Sequence, residues 1–94
     1  MAEVDIAEAG PGRYSVTVRD GGRTTTHEVT VPETVVRDRL RLEGVDGATL
    51  VRESFVFLLQ REPPSSIMGK FSLDVIARYF PEYYDEMRRR LGGS

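Results

Sequence analysis

Apolar and polar residues alternate along the first third of this chain, and the spacing then changes to that of helices. Ala2, Val4 and Ile6 alternate with Glu3, Asp5 and Glu8, which predicts a first strand over residues 2–9, ended by Gly10-Pro11-Gly12. Tyr14, Val16 and Val18 alternate with Arg13, Ser15, Thr17 and Arg19. Asp20-Gly21-Gly22 then supplies residues that tolerate positive φ in a tight hairpin, and the returning strand is Arg23 to Val31. Closing the hairpin around Gly21-Gly22 sets Val18 opposite Thr25, Val16 opposite His27 and Tyr14 opposite Val29. Thr17 then faces Thr26 and Ser15 faces Glu28 on the other side. One face is apolar and the other polar, the pattern of an antiparallel sheet with one side in water and the other under helices.

Pro32 ends the strand and suits the first turn of a helix, with Glu33 and Thr34 near the positive end of its dipole. Val36 and Leu40 stack at i,i+4, and Glu33 can pair with Arg37. A strand also fits this segment, because Arg37, Arg39 and Arg41 alternate with Asp38, Leu40 and Leu42; the helix is preferred. Gly44 and Gly47 bracket the link to the longest apolar run, Ala48 to Gln60.

At about 100° per residue, Leu50, Val51, Ser54, Phe55, Phe57, Leu58 and Leu59 fill roughly half of a helix circumference. Arg52, Glu53 and Gln60 lie opposite, and Val56 falls on the polar side. That arc is too wide for one neighbour, so this central helix should touch a sheet on one side and other helices on the other. Asp46 is placed to cap its first turn and Pro63-Pro64 ends it. Leu58→Ala should cost about 2–5 kcal/mol.

Beyond Pro64, Ser65 or Ser66 caps a brief turn through Ile67 and Met68. Ser72 caps a further helix with Leu73, Ile76, Ala77 and Phe80 at i, i+3, i+4 and i+7. Pro81 opens a last helix lined by Tyr84, Met87 and Leu91, with Arg88, Arg89 and Arg90 at the negative end of its dipole and a frayed Gly92-Gly93-Ser94. The expected fold is α+β: a three-stranded antiparallel sheet, one face covered by the central helix and several short C-terminal helices. Residues 1–94 read as a single domain, with strands and hairpin over 1–31 and a helical part over 32–94.

Composition narrows the chemistry. The absence of cysteine removes thiol catalysis, CxxC redox chemistry and cysteine-ligated zinc, and fits a cytoplasmic location. MAEVDIAEAG has no basic n-region and reads as no secretory signal, and the run Phe55 to Leu59 is far below the roughly 20 residues that span a bilayer, so no membrane role is expected. Thirteen bases against fifteen acids, net −2, give no global field toward nucleic acid. Twelve of the thirteen bases are arginine; arginine forks suit phosphate and carboxylate, but a uniform excess over lysine is as easily a composition bias.

No cofactor, metal or catalytic set is legible. His27, the single histidine, turns toward the apolar face and reads as a core-edge residue. Asp74, Glu82, Asp85 and Glu86 lack the glycine-pinned spacing of a calcium loop and read as a solvated helix face. No phosphate-loop, dinucleotide, nucleophile-elbow or zincin motif occurs. Arg37, Arg41, Arg88, Arg89 and Arg90 would form a basic patch if the fold united them; the competing reading is solvated faces and dipole compensation. Tyr79, Phe80, Tyr83 and Tyr84 cannot all be buried on one helix face, so at least one tyrosine should be exposed; Tyr83 and Tyr84 join the five arginines as the candidate interaction surface.

The run SFVFLLQREPPSSIMGKFSLDVIARYFPEY resembles small uncharacterised bacterial proteins, which implies a shared fold and no activity. The front half, hairpin then helix, is similar in layout to HicB-type antitoxins. Those proteins follow the helix with another strand, whereas this chain reads as following it with helices, and no toxin-binding residue carries over. The functional expectation is a non-enzymatic interaction protein, a regulatory or accessory subunit working through a surface. The alternative is an antitoxin-like, nucleic-acid-associated regulator using the arginines. The strand from Arg23 to Val31 has no internal lysine or proline, so as an edge it should be covered by a second copy in a homodimer.

Overall fold

The computed structural model describes residues 2–41 and 44–92. Strands β1 (Glu3–Gly10), β2 (Arg13–Asp20) and β3 (Arg23–Thr30) form an antiparallel meander. The β2–β3 register is the one the alternation predicts: Val18 faces Thr25, Val16 faces His27 and Tyr14 faces Val29. Gly21 and Gly22 take φ of 57° and 85°, so the two-residue turn uses the left-handed conformations that glycine adopts without strain.

A fourth strand corrects the expected sheet. β4 (Lys70–Ser72) pairs with β3 in parallel, Glu28 with Lys70, Val29 with Phe71 and Thr30 with Ser72, giving a mixed sheet in the order β1-β2-β3-β4. Three residues are too few to show a period, and the strand forms because the chain returning past α1 lays Phe71 on the sheet's buried face beside Val29. A strand therefore does follow the central helix. It also corrects the picture of β3 as an uncovered edge: Glu28 to Thr30 are paired on their outer side, while Arg23 to His27 are not joined by β4.

After β3 the chain makes a wide turn, Val35–Leu40, with i→i+5 hydrogen bonding that closes when the Arg41 N–H donates to the Val36 carbonyl. This replaces the expected α-helical stacking of Val36 on Leu40. In a π-turn, residues five apart share a face, and Val35 and Leu40 are the buried pair while Val36 is half-buried. Arg37 pairs with Asp38 rather than Glu33, Nε to Oδ1 3.6 Å. Arg41 ends the turn at φ 54°. The part of the alternation at Leu42 lies outside the described residues.

Helix α1 (Gly47–Leu59) buries Leu50, Val51, Ser54, Phe55, Phe57 and Leu58. Its two sides meet two layers, as the width of the arc requires. Phe55 packs on His27 and Phe71 of the sheet, at centroid distances of 5.3 and 6.0 Å, and Phe57 packs on Tyr83 at 5.4 Å. Asp46 holds the N-cap position, but its carboxylate accepts from the Thr49 hydroxyl at 3.3 Å rather than from a first-turn amide. Gly47 is required for packing: a Cβ there would lie against the Tyr14 hydroxyl and 2.8 Å from Cζ.

A 3₁₀ turn over Pro64–Ser66 leads to β4, then α2 (Leu73–Tyr79) and α3 (Tyr83–Leu91). Ser72 stands at the N-cap of α2 without a hydroxyl bond to it. The last helix starts two residues later than Pro81, because the Tyr83 N–H closes a turn onto the Phe80 carbonyl first. Tyr83 and Met87, four residues apart on one face, are the buried pair, and Tyr84 and Leu91 are half-buried. The expected fraying at Gly93 and Ser94 lies outside the described residues.

Candidate functional site

Three polar features and two clefts are the places where a site could be built. His27 is 2% exposed. The Met68 carbonyl, 2.8 Å from Nδ1, can only accept, so Nδ1 carries the proton and Nε2 can accept from the Thr25 hydroxyl at 2.9 Å. The imidazole thus pins the segment leading into β4 to β3, and its partners are structural.

Between α1 and α3 the Ser54 hydroxyl donates to the Leu50 carbonyl at 2.7 Å. Having used its one proton there, Ser54 accepts from the Tyr83 hydroxyl at 2.6 Å. Burial is the larger influence on Tyr83 and raises its pKa above the ordinary phenol value, with the bond to Ser54 acting the other way. Tyr83, expected at the surface, is fully buried and belongs to the core. The exposed tyrosine is Tyr79, at 68%.

The arginines divide. Arg37 and Arg41 line one open groove of about 550 Å³ with Tyr14, Val31 and Val36. Burial, then the charges of Glu8 and Asp46, raise the pKa of Tyr14. Arg88, Arg89 and Arg90 do not line that groove. Arg88 pairs with Asp85 and donates to the Arg39 carbonyl at 2.8 Å; Arg89 pairs with Glu86. Arg90 is held by Glu86 at 3.0 Å, Glu53 at 3.5 Å and Gln60 at 3.0 Å. Hydrogen bonds from Arg89 and then Arg90 hold the Glu86 carboxyl below its ordinary pKa. Each of the three is therefore matched by an acid on its own or the adjacent helix.

A second cleft, of about 490 Å³, is apolar and was not singled out from sequence. Its floor is buried Leu58 of α1, Ile67, Phe71 of β4 and Ile76 of α2. Met68, 41% exposed, and Tyr79 stand at its rims. Phe80 forms a wall whose ring packs edge-on against Phe57 at 5.8 Å. Glu62 and Ser66 add polar groups to its lining, and Glu62 also borders a shallower cleft beside Val56, which is 37% exposed. The sequence signal was Met68 and Tyr79 themselves, two large apolar residues off the buried stripes of their segments. They line one cleft because β4 returns to the sheet and α2 starts directly from it.

Among the described residues no cluster of three or more His, Asp or Glu side chains is arranged to hold a metal ion. Also among them, no helix is long and apolar enough to cross a membrane. The chain matches no protein-family model, and no curated protein or solved structure matches it.

Proposed function

We propose that this is a non-enzymatic interaction protein, a regulatory or accessory subunit that engages a protein partner through the cleft between the end of α1, β4 and α2. One observation carries the reading: Met68 and Tyr79, the two most exposed large apolar side chains among the described residues, flank the same apolar cleft. Scattered exposed apolar residues are ordinary, whereas two lining one concave apolar surface mark the kind of patch that partners cover. The antitoxin-like, nucleic-acid-binding alternative needs several cations free to neutralise phosphates, and the pairing of Arg88, Arg89 and Arg90 with acids weighs against it. A photo-crosslinking residue replacing Tyr79 in the native cell tests the leading reading against the same residue replacing exposed Ala7 on the polar sheet face, away from the free part of β3. Adducts at 79 that exceed those at 7 and fall with Met68→Glu are expected. Equal yields, or yields indifferent to Met68, defeat it. Filter binding with steep salt dependence would instead support the nucleic-acid alternative.

A further inference from the structure

We infer that the occupant of this cleft is a segment of a partner protein whose apolar side chains fill it and whose lysine or arginine pairs with Glu62; the inference rests on the cleft being the docking site. The charge balance around the cleft points there. Glu62 is the ionisable carboxylate of its lining, is half-buried, and no described residue forms an ion pair with it. Two cations next to lining residues in the chain, Arg61 and Lys70, are engaged elsewhere. Arg61 lies over the Phe57 ring at 3.6 Å, donates to the Phe57 carbonyl at 3.0 Å and pairs with Glu82 at 3.5 Å. Lys70 pairs with Glu28, which neighbours it on the polar face of the sheet, away from buried Phe71. A purely apolar occupant lying over Glu62 would cover its carboxylate with nothing to match it, which is unfavourable. A basic group on the occupant meets that carboxylate at the rim, where partial desolvation strengthens the pair.

The cleft thus asks for a short segment with bulky apolar side chains and one cation beside them. An acidic segment is excluded by like charge at the same point. The test is selection of a random displayed peptide library on the immobilised chain of residues 1–94, followed by affinities of the enriched peptides for variants. Peptides pairing bulky apolar residues with lysine or arginine are expected. Glu62→Lys should weaken them about tenfold and reverse the preference toward acidic peptides, and Glu62→Gln should weaken them less. Met68→Glu should abolish their binding. If binding is lost in Met68→Glu but selection returns no basic preference, or Glu62→Lys leaves it unchanged, the charge inference is overturned while the cleft reading stands. If no peptide binds in a way that depends on Met68, both fall.

Discussion

The buried Ser54–Tyr83 pair predicts an asymmetric cost when either hydroxyl is removed. Both side chains are fully buried. Tyr83→Phe deletes the donor, while Ser54 keeps its own bond to the Leu50 carbonyl, so the loss is that of one ordinary hydrogen bond, about 1 kcal/mol. Ser54→Ala leaves the phenol hydroxyl buried without its acceptor, and that costs about 1–3 kcal/mol. The double variant leaves neither group orphaned and should cost less than the two singles together, a coupling of about 1 kcal/mol. Urea unfolding of the four proteins measures this, read from midpoints at constant m. If Tyr83→Phe costs more than Ser54→Ala, or the two effects add, the assignment of donor and acceptor is wrong. The same pair sets an alkaline limit. Burial raises the folded-state pKa of Tyr83 above the ordinary value of 10.0. Above that value the unfolded chain releases a proton the folded chain retains, so its contribution is fully present below pH 10 and is lost as pH rises further. Tyr83→Phe should flatten that decline but not remove it, because Tyr14 and Tyr84 are also raised by burial.

Gly47→Ala should destabilise by about 1–2 kcal/mol although alanine favours helices, because overpacking outweighs propensity; the penalty should shrink in a Tyr14→Phe background, and equal penalties would remove the clash as its cause. His27→Phe keeps the packing on Phe55 but leaves the Met68 carbonyl without its donor, so exchange of the Glu28 amide, which donates to the Gly69 carbonyl at 2.7 Å, should quicken relative to Val18. An unchanged ratio means that His27 does not pin the segment before β4. For the expected homodimer through β3, Thr26 is the informative position: the Glu28 amide is engaged by Gly69, and Thr26, two residues back, directs its amide to the same outer side beyond the reach of β4. Thr26→Pro should abolish dimerisation in sedimentation and leave the monomer folded. A wild-type chain of monomer mass at every concentration would dismiss that dimer.

Local pattern settled the hairpin. Strand side chains alternate with a strict period of two, so once Gly21-Gly22 closes the turn every pair from Val18–Thr25 to Tyr14–Val29 follows. The breadth of the apolar arc on Ala48 to Gln60 likewise required two neighbouring layers, and Phe55 against the sheet with Phe57 against Tyr83 meets that requirement. Other features depend on groups far apart in sequence. Lys70–Ser72 has no strand signature of its own and becomes a strand only because β3 offers it an edge. Val35–Leu40 contains no residue that demands a π-turn; that turn buries both Val35 and Leu40, where an α-helix would have favoured Val36 with Leu40. The apolar cleft was least legible, since it joins residues of α1, β4 and α2. Periodicity within one segment says which side chains leave the water, whereas a concave surface between segments exists only once their relative placement is set by packing.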